Sequence, residues 1–317
     1  MAATALAAVF TGGVFLDGWA HTHGRVDETF FTPWHAALYA GFLAMALLLV
    51  GRAAWGVARH GVSWRRAMPD GYGLALAGVA FWVVGGPFDA LWHEIFGFEA
   101  DVEALMSPAH AVLVTGFALM ASGPLRAGLR DPARRGWRSV TMILSLTFVV
   151  SILTFFTQIA HPVSNLWAAS RMHGMATEFG IIGMLLTVAI LTAPLLFLLR
   201  HDRMPAGATT VLVGLNAVAM GFLFEHGAYP RAVVAAIVAA AITVDVLRVI
   251  VRPAAIRPRA FRTFAVALAA APVTGYFLAV AGMHGIAWST HLWMGVIVFA
   301  GGVGWLLSYL LLPPRLE

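Results

Sequence analysis

Along this 317-residue chain, apolar stretches alternate with short polar segments. Each stretch is close to the length of about 20 residues that an α-helix needs to cross the hydrocarbon core of a bilayer. They fall at roughly 2–20, 33–51, 71–92, 108–125, 139–160, 173–199, 208–225, 230–250, 263–283 and 291–312. Short loops make consecutive helices antiparallel neighbours. The pattern therefore predicts an all-α, polytopic transmembrane bundle of ten helices in five hairpins, forming one integral-membrane domain over 1–317. The first stretch resembles a secretory signal in its apolar character, but no basic residue precedes it, so it reads as a membrane helix.

Composition agrees with this reading. The chain is 60% hydrophobic and 11% charged, with a mean hydropathy of +0.83, far too apolar for an ordinary soluble domain. It has no Cys, which excludes disulfides, thiolate metal sites and cysteine nucleophiles. All basic side chains other than His are Arg, and 17 of the 20 fall in alternate loops and the C-terminal tail: Arg52 to Arg66, Arg126 to Arg138, Arg200 to Arg203, Arg248 to Arg262, and Arg315. The positive-inside rule makes those segments cytoplasmic. Both termini then lie inside a plasma membrane. The net charge of +5 is explained by topology and contact with anionic lipid, and implies no nucleic-acid partner. Ten of the twelve His and ten of the fifteen Asp and Glu fall on the opposite, outer side.

Much of that outer chemistry belongs to an internal repeat. Asp17-Gly-Trp-Ala-His21, followed by Glu28-Thr-Phe-Phe-Thr-Pro-Trp-His35, is echoed by Asp89-Ala-Leu-Trp-His93 and Glu103-Ala-Leu-Met-Ser-Pro-Ala-His110. Both copies read Gly-Gly, Phe, Asp-x3-His, a polar loop, then Glu-x3-[Thr/Ser]-Pro-x-His-x2-Leu-x2-Gly-Phe-x2-Met. The repeats span about 12–45 and 85–120. Asp and His four apart share one helix face. Thr32-Pro33 and Ser107-Pro108 have the form of an N-cap followed by Pro at the first helical position, which puts His35 and His110 in the first turn of the next helix. Each hairpin then gathers one carboxylate and two imidazoles. Without repetition, an interfacial Asp that merely caps or orients a His would explain each pair. The doubled motif favours metal ligation by Asp17, His21, His35, Asp89, His93 and His110.

The later hairpins, 139–199, 208–250 and 263–312, are degenerate versions of this pattern. Thr157-x3-His161 with His173 and Glu178 forms a further candidate ligand set, while Glu225-His226, His284 and His291 lack the full complement. His23, Asp27, Glu94, Glu99 and Asp101 read as solvated loop residues or as supports for the ligands, and Glu28 and Glu103 as ligands, supports or loop anchors. Trp19, Trp34, Trp92, Trp167, Trp288 and Trp293 form an interfacial aromatic belt or a hydrophobic substrate cage. The Gly-rich run from Gly295 to Gly304 reads as close helix packing.

The spacing Asp17-x3-His21-x13-His35 resembles the Asp-x3-His…His and Asn-x3-His…His metal motifs in the C subunit of the copper membrane monooxygenases, the methane and ammonia oxidising family. The resemblance covers about 20 residues in each copy, and the second is looser, with sixteen residues between His93 and His110. It implies copper at Asp17, His21 and His35, a second site at Asp89, His93 and His110, and oxidative chemistry on a small apolar substrate. By its ligand types alone the set suits copper, iron, zinc or manganese. The leading expectation is a metal-dependent membrane oxidoreductase using copper or iron, with a small or lipid-soluble substrate and an electron-donor protein as partners. A divalent-cation transporter would need ionisable groups through the midplane, where they are scarce: Asp245 lies toward the inner end of its helix, and Asn216 is only polar. A haem protein with axial His pairs would have no need of the paired Asp residues.

Overall fold

The structure is a computed structural model. It describes residues 1–25, 32–97, 105–131, 136–169, 174–224, 228–283 and 285–314. The fold is all-α. Among the described residues, nine helices are long and apolar enough to cross a membrane. The chain divides into two compact units, Met1–Ile152 and Leu153–Glu317.

The first unit contains α1 (Ala2–Thr22), α2 (Pro33–His60), the single turn α3 (Trp64–Ala67), α4 (Gly73–Phe96), α5 (Pro108–Ala121) and α6 (Gly123–Arg130). It also holds most of α7 (Trp137–Phe156). Both expected caps are present. Thr32 accepts a hydrogen bond from the His35 backbone N–H and Ser107 from that of His110, each at 3.1 Å. Pro33 and Pro108 open the helices behind them. Helix α2 runs past its predicted end at 51 and stops at Gly61, whose φ of +61° suits glycine. Ala and Arg favour helix, so the Arg-containing segment after 51 simply prolongs the helix.

The two hairpins of this unit make repeat-like contacts. A Cβ at Gly13 would meet Leu38 Cα at 2.9 Å, and one at Gly85 would meet Leu113 Cδ2 at 2.8 Å. Likewise Gly41 lies against the Phe10 backbone and Gly116 against the Trp82 ring. Small residues let α1 approach α2 and α4 approach α5 this closely. Between the hairpins, the Phe10 ring packs on Phe117 at 4.8 Å and the Trp82 ring on Phe42 at 4.9 Å, while Phe10 and Trp82 themselves meet at 4.8 Å. These four rings form the core floor from which the ligand-bearing ends of α1, α2, α4 and α5 rise.

The second unit is less regular. Helix α7 ends at Phe156, short of the predicted 160, and Pro162 opens the next short helix as its first residue. There follow a 3₁₀ turn (Gln158–Ala160), α8 (Pro162–Asn165) and a second 3₁₀ turn (Trp167–Ala169). The Asn165 side-chain amide donates to the carbonyls of Gln158, Ile159 and His161 at 3.1, 3.0 and 3.1 Å, tying α8 to the turn before it. Next come α9 (Met175–Arg200), a π-helical turn (Thr210–Gly214), α10 (Leu215–Leu223), α11 (Ala228–Val251), α12 (Pro258–Met283) and α13 (Thr290–Leu311). The stretch predicted at 208–225 is thus a short helical piece, Thr210–Leu223, opened by the π turn. Asp245 on α11 holds that opening. Its carboxylate accepts from the backbone N–H of Thr209 and Thr210 at 3.3 and 2.8 Å, and from Thr210 Oγ1 at 2.7 Å.

Candidate metal centre

Helix geometry puts each candidate ligand in place. Asp17 and His21 lie one turn apart near the end of α1, and Asp89 and His93 lie one turn apart near the end of α4. The Thr32 and Ser107 caps then begin α2 and α5 so that His35 and His110 face those carboxylates. Asp17 Oδ2 is 3.8 Å from His21 Nε2 and 3.6 Å from His35 Nε2. Asp89 Oδ1 is 3.7 Å from His93 Nε2 and 3.3 Å from His110 Nε2. Within each triad the ligand-type atoms all lie within 4.8 Å of one another.

Most of these separations are too long for hydrogen bonds. They are close to what a shared metal requires. A tetrahedral ion bonded to N and O at about 2.0–2.1 Å sets its ligand atoms roughly 3.3–3.4 Å apart. Asp17 Oδ1 and Asp89 Oδ1 are buried and accept no hydrogen bond, a costly state for a carboxylate that a cation would relieve. Two imidazoles and one carboxylate without sulfur form a borderline-hard donor set suited to copper, iron, zinc or manganese.

The triads belong to the same unit and sense one another. Asp17 interacts electrostatically with His110 and Asp89, and His21 with His110 and His93. Tyr39, one turn beyond His35 on α2, interacts with both carboxylates. Its ring is 6.5 Å from His35 and 5.7 Å from Trp82, and its hydroxyl would lie 3.3 Å from a Cβ at Gly86, three residues before Asp89. Tyr39 was not among the expected site residues, because its counterpart in the second repeat is Val114 and no pattern marked it.

Among the described residues, the groups able to hold a metal are these two triads. His161 is buried as the N-cap of α8, where its Nδ1 accepts from the Val163 N–H at 3.3 Å. Glu178 is exposed in the first turn of α9, and His291 is exposed in the first turn of α13. His23 stacks on Trp19 at 4.6 Å and Glu94 is exposed. His173, Asp27, Glu28, Glu99, Asp101, Glu103, Glu225, His226 and His284 lie outside the described residues.

Fold and site together define a polytopic membrane protein with two His/Asp metal-binding clusters. Both clusters match the Asp-x3-His…His pattern read from the sequence. Comparison with protein families, with curated proteins and with solved structures finds no match to this chain.

Proposed function

We propose that the protein is a metal-dependent membrane oxidoreductase whose centre, formed by Asp17, His21, His35, Asp89, His93 and His110, uses copper or iron on a small, lipid-soluble substrate. The observation that carries this reading is the pair of equivalent triads, each with its carboxylate 3.3–3.8 Å from two imidazole nitrogens. A bound copper or iron ion supplies one-electron redox chemistry and the activation of oxygen or a related oxidant. The chain's own residues do the rest. In each triad the carboxylate would offset the charge of a bound ion, and the two imidazoles would fix its position. Beneath them, Phe10, Phe42, Trp82 and Phe117 exclude water and leave an apolar surround that admits a lipid-soluble molecule but no ions.

The distribution of Arg supports an outward-facing centre in the plasma membrane. Helix α2 carries His35 in its first turn and Arg59 in its last, about 36 Å apart at 1.5 Å per residue. With Arg on the cytoplasmic side, the triads face out and both termini lie inside. Electrons would then come from a donor protein or a reduced membrane-soluble carrier.

Asp245 bears on the alternative of a divalent-cation transporter. Its carboxylate is engaged in holding Thr209 and Thr210, which favours a fixed site over a conduit. The test is elemental analysis with optical and EPR spectra of protein purified in mild detergent, comparing wild type with His21→Ala and His93→Ala. Stoichiometric copper or iron, reduced in both variants, is expected. A Soret band would replace the proposal with haem. Failure to hold copper, iron, manganese or zinc after reconstitution would overturn it and leave weak transport or a structural His/Asp network.

A further inference from the structure

The second unit contains a buried polar group that the metal chemistry does not use. The segment 158–169 packs deep against α9: a Cβ at Gly183 would collide with the Ala160 carbonyl, and one at Gly180 with the Trp167 side chain. Gly183 is eight residues into α9, roughly 12 Å along the helix at 1.5 Å per residue. Irregular backbone at such depth is tolerated where it is buried in protein or lines a cavity. Here it does both. His161, Thr187, Thr192, Asn216 and Tyr276 are the polar residues around a cavity of about 40 Å³ whose other lining residues are apolar.

His161 is 3% exposed. Its Nδ1 accepts from the Val163 N–H, so the proton of the neutral ring sits on Nε2. That Nε2 makes no hydrogen bond, although the neighbouring Asn216 side chain interacts with the ring. Asn216 is itself held by donation from Nδ2 to Thr154 Oγ1 at 2.6 Å, and the Tyr276 hydroxyl accepts from the Ala168 N–H at 3.2 Å. The corner is rigid and presents a donor that needs an acceptor. Among the described residues, no Asp, Glu or Arg lines the cavity, so a charged ligand would lack a counter-ion. Size limits the ligand further, since an engineered cavity of roughly 150 Å³ is what admits benzene.

We propose that this cavity is a second ligand site, taking the oxygen end of a neutral, lipid-soluble hydroxyl or carbonyl compound against His161 Nε2. The site lies wholly within unit 2 and stands independently of the metal reading. A short molecule would be enclosed; a longer one would seat its oxygen and leave its tail outside the cavity.

The test uses ¹⁵N-histidine-labelled full-length protein in lipid nanodiscs, titrated with ethanol and separately with 1-octanol. The expected result is one Nε2–H resonance, missing in His161→Phe, that shifts saturably. Its midpoint should rise at least tenfold in Ala217→Leu, which fills the cavity while keeping every histidine, so the test survives a failure of His161→Phe to fold. A response to ethanol alone assigns an enclosed short molecule, and a response to octanol assigns a seated chain end. No response to either alcohol, with magnetisation transfer from water to that proton, overturns the proposal and makes the cavity a water site. Metal content has no part in this readout.

Discussion

Asp17–His21 and Asp89–His93 place the same two side chains one helical turn apart, yet the His21 side chain is 42% exposed and that of His93 only 9%. The carboxylates follow the same order, 14% for Asp17 and 4% for Asp89, while the remaining imidazoles reverse it, 13% for His35 and 24% for His110. The cause lies in where each helix stops. Helix α1 ends at Thr22, one residue after His21, whereas α4 continues for three residues past His93 to Phe96. A motif thus fixes which atoms converge, while the helix terminus fixes how dry they are. Water competes with ligands and lets side chains swing, so the Asp89–His93 pair is better preorganised than Asp17–His21.

The largest effect should come from breaking that difference at the carboxylates. Asp89→Ala removes the oxygen facing both His93 and His110 in the drier triad. It should weaken metal binding at that triad by at least the ~100-fold that loss of an outer support alone can cause. Asp17→Ala removes the same chemistry from the wetter triad, where water replaces part of it, and should cost about tenfold. Competition titrations against a chelator of known affinity, in each variant and in wild type, measure both losses. Equal losses would show that burial does not set the affinity of the two triads.

The ligand triads were legible in the sequence because repetition raises a weak local signal, Asp and His four apart, above its ordinary meaning. The caps were legible for a related reason: Thr-Pro and Ser-Pro restrict backbone torsions locally. Tyr39 was not, since an unrepeated aromatic on a span looks like packing. The Gly-Gly of the repeat was only partly informative. The pattern aligns Gly12 with Gly85, whereas the contacts pair Gly13 with Gly85 through Leu38 and Leu113. In unit 2, apolar runs that looked like hairpins contain the 3₁₀ turns at 158–169 and the π turn at Thr210–Gly214. Hydropathy reports average burial, and an irregular segment buried in protein is as apolar as a helix. His161 illustrates the point. Its spacing imitated the repeat, but Pro162 directed the chain elsewhere and left the ring lining a cavity.

The repeat-like packing offers a smaller effect that sharpens the same comparison. At Gly13 the obstacle to a methyl group is the Leu38 backbone, whereas at Gly85 it is the far end of the Leu113 side chain. A backbone shift moves a whole helix, but a Leu can change rotamer. Gly13→Ala should therefore destabilise the unit by about 1–3 kcal/mol, the usual range for overpacking. Gly85→Ala should fall near or below the bottom of that range. Unfolding of each variant in mixed micelles by a graded denaturing detergent reads the order. Reversal of that order would mean that the second hairpin is the more rigid at its crossing.

The smallest expected effect concerns the caps, where the two halves are most alike. Thr32 and Ser107 accept the same bond from His35 and His110 at the same 3.1 Å, and both residues are buried. Replacing either by Ala should cost about 1 kcal/mol of stability. The two losses should agree within about 0.5 kcal/mol, as expected for separated equivalent sites. Metal affinity is where they should part. Each cap fixes the first turn that carries a ligand, so Thr32→Ala loosens His35 and Ser107→Ala loosens His110. His35 is the drier imidazole, 13% exposed against 24% for His110, so Thr32→Ala should weaken metal binding the more, while Ser107→Ala leaves it within a few-fold of wild type. Equal stability losses with unequal affinity losses would separate what the motif determines from what burial adds.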